Sequence, residues 1–489
     1  MILITASSFC SIDLCNVFGD IPPVFLPAGN KLFLERQLKS IRKNFSDDIF
    51  LSLPANYKLT DYQEKIIKLN SINIIRLPIG LSLRSAVSSC ISKIKRPNEM
   101  LRILHGDTYI ENFPKYSDSL TVAKSISRFY FSQTDNLCWS GYFSFKDISY
   151  LEELLDTSNT FEEAVKIYIA KKNVKMLETD DWIDYGNYHS FEQGRLKFLQ
   201  SRYFNDVTVA KHTIHKKSKD LKKLDDELTW YDSIPDQLKS FTPKTWKSTE
   251  SDGYFLDLVY GVPLNEWIIS VADPKYSIET IITNIKNYLE ASRSVKGMAS
   301  SIHDKNTIKY LAFKKPIDRI DNIKKEVFDL INDRISLNVT KSDLKDIISH
   351  CYDYSLANTN DDIGCLHGDL CASNIIFDFY RNRLHVIDPR GGKALGDIRY
   401  DIAKIYHSLI GGYDDILASR YEYKNNKLII NNSKIQNSLS LWIKDDFFGH
   451  STKAIKKLCA TLFISMIPLH SDDLERQAAL LINGINLSK

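Results

Sequence analysis

Residues 365–392 read CLHGDLCASNIIFDFYRNRLHVIDPRGG. Asp369 follows a Gly at the end of a short apolar run, and Asn374 comes five positions later. Two β-prone segments, IIFD and RLHVID, flank the turn FYRN and lead to Asp388. The pattern predicts a loop running into a short hairpin. Phosphoryl transfer from ATP needs few protein groups. One carboxylate orients the attacking hydroxyl and accepts its proton, while an amide oxygen and a second carboxylate hold Mg²⁺ against the phosphates. Asp369, Asn374 and Asp388 supply that set in order: Asp369 as the base, Asn374 and Asp388 as metal ligands. His367 and Arg390 support the loop from either side. HGD alone also reads as a polar turn, and IDP as a strand exit. The ordered combination favours a phosphotransferase site.

The flanks agree with that reading. FNDVTVAKHTIHKKS (204–218) predicts two strands, DLKKLDDELTWYDSI (220–234) a helix closing at Pro235, and GYFLDLVYG (253–261) another strand. Together they make a small sheet with one helix. From about residue 275 helical periodicity takes over in SIETIITNIKNYLEASRSV, PIDRIDNIKKEVFDLINDRI and SDLKDIISHCYDYSLA. After the 363–388 interruption, helices resume at GDIRYDIAKIYHSLIGG and are expected to continue to the end. The 365–392 segment resembles the catalytic loop of the aminoglycoside phosphotransferase and choline kinase family. The IDPRG ending and the following GDIRYDIAKIYHS resemble members associated with surface-polysaccharide genes. The resemblance spans roughly 201–489 and implies a protein-kinase-like fold, with an N-lobe at 201–270 and a helical C-lobe at 271–489. It implies ATP and Mg²⁺ as cofactors. It also implies a strand lysine for the phosphates, paired with a helical glutamate. Lys216 or Lys217 can be that lysine, since neighbours on a strand face opposite ways; Lys216 is favoured, with Glu227 as its partner. Leu258 and Val259 fall in the hinge-like segment that would hold adenine. No glycine-rich loop precedes the lysine, a departure from protein kinases. Asp397 and Asp401 read as a helix cap and structural hydrogen bonding. No APE-like segment follows Asp388, which favours a small-molecule hydroxyl acceptor over a protein.

LHGD occurs a second time, at 104–107, in a different context. Residues 1–200 alternate strand and helix signals: MILITA, NKLFLERQLKSIRKNF, DDIFLSLP, DYQEKIIKLNS, INIIRLP, GLSLRSAVSSCISKI, LRILHGD. Such alternation predicts a mainly parallel, doubly wound sheet with ligands at the strands' carboxyl ends, where Asp107 falls. ILHGDTYI resembles the metal-binding segment of sugar-phosphate nucleotidyltransferases. TDDWIDYGNYHSFEQGR (179–195) resembles that family's late motif, in which Asp184 would be the second Mg²⁺ ligand. The resemblance implies a nucleotide-diphospho-sugar-transferase-like (GT-A-like) domain over 1–200 and a second NTP as its cofactor. ITASSFCSIDLCNVFGDIPPVFLPAG departs from the family: it has no glycine cluster and no Arg, and Pro23 or Val24 stands at the usual lysine position. Backbone amides and basic groups normally cradle the triphosphate there, so a non-catalytic docking domain is the second reading.

The expected fold class is therefore α/β, with the second domain α+β and bilobal. At 489 residues the chain is too long for one core. Its net charge of +3 argues against a nucleic-acid partner. No pair among the eight cysteines has CxxC spacing, and scattered thiols fit a cytoplasmic protein. Cys365 and Cys371 read as small buried fillers. No long apolar run predicts a transmembrane segment. The leading expectation is a kinase for a sugar, polyol or amino alcohol, fused to a nucleotidyltransferase-like domain that activates the product for surface-polysaccharide synthesis. An assembly protein built from two inactive enzyme folds is the remaining alternative.

Overall fold

The computed structural model describes residues 1–124, 137–198, 205–210, 212–249, 252–294, 303–392, 394–430, 433–439 and 444–489. Two compact units emerge: Met1–Leu199 with Ser270–Ala272, and Gln200–Ile269 with Asp273–Lys489. The expected boundary at 200/201 lies outside the described residues.

In the first unit seven strands form one sheet, in the order Asn73–Leu77, Ile49–Pro54, Ile2–Thr5, Leu101–His105, Leu137–Phe145, Ser119–Lys124, Lys175–Glu178. Ile2–Thr5 is nearly all apolar and Ile49–Pro54 is buried at every position, as strands covered on both faces require. The first four strands pair in parallel, with Ile2 opposite both Ile49 and Arg102. Helices Phe33–Asn44, Asp61–Leu69 and Leu83–Ile94 are interleaved with them along the chain. The sheet is not parallel throughout. Leu137–Phe145 runs antiparallel to both Leu101–His105 and Ser119–Lys124. Strands adjacent in sequence can pair this way without a helical crossover. At the carboxyl end of Leu101–His105, a Cβ on Gly106 would lie 2.7 Å from the Thr5 carbonyl oxygen. Only glycine lets the Asp107 turn settle against the first strand.

The second unit opens with a four-stranded antiparallel sheet in the order Asn205–Ala210, Thr213–Ser218, Gly253–Asp257, Thr245–Lys247. Helix Leu221–Ser233 packs on it, burying Leu224, Glu227, Trp230 and Tyr231. The hairpin predicted after the HGD loop is Ile375–Asp378 with Arg383–Val386, and Val262–Pro263 adds a third strand beside it. The rest is mostly helical around Thr452–Met466, which is buried over most of its circumference as a central helix must be. Two expectations need correction. The predicted helix 316–335 is two helices, Lys315–Ile320 and Lys325–Ile335, because residues 321–324 turn between them. The helical tail also contains a hairpin, Tyr421–Lys424 with Lys427–Ile430, whose turn residues Asn425 and Asn426 have φ of 51° and 55°. Asn adopts that left-handed geometry readily, as two-residue hairpin turns demand.

The chain is thus α/β: a first unit built on a mostly parallel sheet with interleaved helices, and a second unit with a small antiparallel sheet leading into helices. No helix among the described residues is long and apolar enough to cross a membrane. The eight cysteines are free thiols.

Candidate functional site

In the second unit, strand alternation turns Lys216 inward and Lys217 outward. Lys217 forms an ion pair with Asp252 at the surface. Lys216 is 3% exposed, and its Nζ donates to Glu227 Oε2 at 2.5 Å and to Asp388 Oδ1 at 2.9 Å. Tyr254 donates its hydroxyl to the same Glu227 oxygen at 2.8 Å. Burial works against a charged lysine here, but the Asp388 and Glu227 carboxylates outweigh it and hold Lys216 protonated. One helical turn past Glu227, Trp230 donates its indole N–H to the Leu366 carbonyl at 2.8 Å. Helix Leu221–Ser233 therefore ties the strand lysine to the start of the HGD loop.

The loop itself is braced from below. Asp401 accepts the backbone N–H of His367 at 2.7 Å and of Gly368 at 2.8 Å. This is the structural role expected for it, directed at the loop. His367 is fully buried, and burial lowers its pKa to about 4, so it is neutral. Its Nε2 faces the Ile387 carbonyl at 3.0 Å and its Nδ1 faces the Asp369 amide at 3.3 Å. The Nε2–H tautomer satisfies both. Asn374 Nδ2 donates to the Asp369 carbonyl at 2.8 Å and reaches Asp369 Oδ2 at 3.3 Å. The Asn374 carbonyl accepts from the Ile387 amide at 2.9 Å, next to Asp388. Asp388 has φ of 57°, a left-handed conformation uncommon for a side-chain-bearing residue. Arg390 Nε donates to the Gly368 carbonyl at 2.9 Å, closing the loop on itself. Asp369, Asn374 and Asp388 are thus held by one hydrogen-bonded framework.

Lys404 was not picked out in the sequence. It is buried on helix Arg399–Leu409, and its Nζ lies 3.0 Å from Asp369 Oδ1. Burial alone would raise the Asp369 pKa. The charges of Lys404 and Arg390 override it and hold the carboxyl well below the usual range. One signal was present: Lys404 is a charge one turn beyond Asp401, within an apolar helical run. Leu258 and Val259, expected near adenine, are placed differently from one another. Leu258 is buried and gives its amide to the His212 carbonyl at 2.8 Å, whereas Val259 is half-buried just beyond it. Cys365 and Cys371 are buried fillers beside the loop.

In the first unit the late motif returns to the first LHGD. Thr108–Tyr109 pairs antiparallel with Ile183–Asp184, and the Tyr185 amide donates to the Asp107 carbonyl at 2.7 Å. A Cβ added to Gly186 would lie 3.1 Å from Asp184 Oδ1 and 3.3 Å from Asp107 Oδ2. Both carboxylates therefore converge over a glycine that leaves them room. Burial raises the Asp107 pKa, and no cationic side chain pairs with it among the described residues. A half-buried carboxylate lacking a cation, with a second beside it, is a donor set that fits Mg²⁺. Asp107 lines two cavities. One, of about 250 Å³, is walled by Thr5, Ala6, Ser7, Ser8, Cys10 and Pro23. The other, of about 600 Å³, is walled by Trp139, Phe161, Glu162, Trp182 and Asp184. Among the described residues, no Lys or Arg lines the smaller cavity, where the glycine-rich loop would stand.

No family profile and no curated protein matches this chain. Solved structures similar to it include a nucleoside-diphosphate-sugar pyrophosphorylase from Vibrio cholerae, at 13% identity over 41% of this chain and 99% of that one, TM-score 0.32. CTP:phosphocholine cytidylyltransferase from Streptococcus pneumoniae is similar at 11% identity over 40% of this chain and 98% of that one, TM-score 0.32. Aminoglycoside 2'-phosphotransferase-IIIa in complex with GDP is similar at 14% identity over 59% of this chain and 89% of that one, TM-score 0.35.

Proposed function

We propose that the second unit is an ATP- and Mg²⁺-dependent kinase for a small hydroxylated molecule, a sugar, polyol or amino alcohol. The observation that carries this reading is Lys216 bonded at once to Glu227 and Asp388. Lys216 directs its charge at the α- and β-phosphates, and Glu227 with Tyr254 fixes its position. The main chain around Leu258 and Val259 receives adenine. Asp369 orients the acceptor hydroxyl. The hydroxyl oxygen forms a bond to the γ-phosphorus as the bond to the β-bridging oxygen breaks, ADP departs, and the hydroxyl proton passes to Asp369. With so low a pKa, Asp369 acts mainly by orientation and takes the proton late, as a loose transition state allows. Asn374 and Asp388 would hold Mg²⁺, which supplies charge neutralisation across the transferring phosphates when bound.

The first unit, in this reading, couples the phosphorylated product to a nucleotide, with Asp107 and Asp184 as the metal-holding pair between a nucleotide cavity and a co-substrate cavity. Fusion keeps the product near its next enzyme. Activated precursors of this kind feed surface-polysaccharide synthesis in the cytoplasm. A second reading, a non-catalytic first unit, is favoured by the lack of Lys or Arg around the smaller cavity among the described residues.

The deciding experiment measures ADP release from ATP and Mg²⁺ across sugars, polyols and amino alcohols, alongside calorimetric ATP binding. Asp369→Asn should abolish release while ATP still binds, and Asp388→Ala should abolish the Mg²⁺-dependent part of binding. Full turnover by either variant would remove the kinase assignment.

A further inference from the structure

The larger cavity of the first unit, about 600 Å³, has a wall of aromatic rings set nearly at right angles. Trp139 meets Phe143 at 5.5 Å between centroids and 84° between planes, and Phe143 meets Phe161 at 5.3 Å and 83°. Trp182 lines the same space. Rings in one plane would offer a flat platform, on which a sugar ring can stack. Perpendicular rings make a corner, where a rounded group touches more than one of them. The buried Trp139 indole N–H has no hydrogen-bond partner among the described residues, so the wall is incomplete without an oxygen from a bound molecule. The lining also carries excess negative charge. Asp107, Asp184, Glu162 and Glu163 stand against Lys166, the one Lys or Arg there among the described residues. A metal held by Asp107 and Asp184 would offset that pair. Glu163 is exposed and accepts the Asn159 amide at 2.8 Å. Glu162 is half-buried and forms no hydrogen bond or ion pair among the described residues. A carboxylate so placed among aromatic rings is costly unless a cation joins it. A cation without N–H groups suits these walls best. Ring faces attract its charge, and it leaves no donor unsatisfied against apolar surface.

We infer that the larger cavity binds the methylated ammonium end of a phosphorylated amino alcohol, with Glu162, Trp139, Phe143, Phe161 and Trp182 around the charge and the phosphate toward Asp107 and Asp184. This deepens the nucleotidyltransferase reading of the first unit and rests on it for the phosphate end. In that reaction a phosphate oxygen bonds to the α-phosphorus of the NTP, the bond from that phosphorus to the β-bridging oxygen breaks, and pyrophosphate leaves.

The test is calorimetric. Full-length protein with Mg²⁺ is titrated with phosphocholine, phosphoethanolamine, glycerol 3-phosphate and glucose 1-phosphate. Phosphocholine should bind about 30-fold more tightly than glycerol 3-phosphate, the worth of a desolvated cation among aromatic rings. Glu162→Gln keeps the side chain's shape and removes its charge. It should weaken phosphocholine about tenfold and leave glycerol 3-phosphate where it was. Trp139→Leu should weaken phosphocholine by a similar factor, and Trp139→Phe should restore most of the loss. Equal binding of glycerol 3-phosphate or glucose 1-phosphate, tighter binding of phosphoethanolamine than of phosphocholine, or a phosphocholine Kd unchanged in Glu162→Gln overturns the inference. Pyrophosphate release from each NTP is read with the same compounds. Release with none of them, while phosphocholine binding keeps its preference and its dependence on Glu162, would remove nucleotidyl transfer and leave the ammonium site standing in a docking domain.

Discussion

Lys404→Met isolates the charge that keeps Asp369 ionised. Met preserves length and apolar bulk on helix Arg399–Leu409 while removing the ammonium 3.0 Å from Asp369 Oδ1. At a charge separation of about 4 Å and an effective dielectric of about 20, the pair is worth roughly 4 kcal/mol. Asp369 is 34% exposed on its side chain, so solvent screening halves that to about 2 kcal/mol. The range corresponds to a rise in the Asp369 pKa of roughly 1.5 to 3. The sign is fixed by direction: the folded pKa is depressed, so the pair's stabilisation is present above the unfolded carboxyl value and fades as pH falls through the folded one. In the variant the acid limb of kcat/KM should move up by that same rise, and stability at neutral pH should drop by about 2 kcal/mol at most. The assay is the carboxyl ¹³C chemical shift of Asp369 titrated from pH 2 to 7 beside ADP release over the same range, with circular dichroism confirming the fold. An acid limb that stays where the wild type's is, with kcat/KM at pH 7 unchanged, would show that Lys404 does not set the charge state of Asp369.

Lys216→Met leaves Glu227 and Asp388 without their shared cation. It should cost about 3–5 kcal/mol in denaturant unfolding and about 10²–10³-fold in kcat/KM; near-wild-type turnover would refute its placement on the phosphates. Gly391→Ala should destabilise the second unit by at least about 2 kcal/mol, because φ is 88° and the new Cβ would meet the Asp226 carbonyl carbon at 2.6 Å and the Glu227 nitrogen at 2.7 Å. Since the clash pushes on the helix that carries Glu227, the KM for ATP should rise as well; unchanged melting would refute it. Asp107→Asn should abolish pyrophosphate release from NTP and a sugar phosphate while ADP release by the kinase unit continues. If wild type releases no pyrophosphate with any NTP, the docking reading of the first unit prevails.

Much of the architecture was legible because it is written in local periodicity. The strand and helix alternation of residues 1–105 follows from buried apolar runs and amphipathic stretches, and each predicted element falls where the pattern puts it, whereas the short helix Ile12–Phe18 was not read from the sequence. The antiparallel Leu137–Phe145 was not legible, since strand direction depends on a partner elsewhere in the sheet. The hairpin at 421–430 was missed although Asn425 and Asn426 announce its turn. At the candidate site, Asp369, Asn374 and Asp388 stood out because they lie within twenty residues on one loop and hairpin. Lys404 did not, because a lone charge one turn beyond Asp401 in an apolar run does not reveal which carboxylate the fold will bring to it.

By itself the sequence determined the kinds of element, the spacing of the Asp–Asn–Asp set, and the absence of a basic, glycine-rich loop near the first strand. Tertiary structure alone decided that Lys216 rather than Lys217 faces Asp388, 172 residues away. It alone brought Asp184 beside Asp107 over Gly186, and set Lys404 3.0 Å from Asp369. The physical reason is that backbone preference acts over a few residues, whereas charge acts through space between groups the fold happens to bury together.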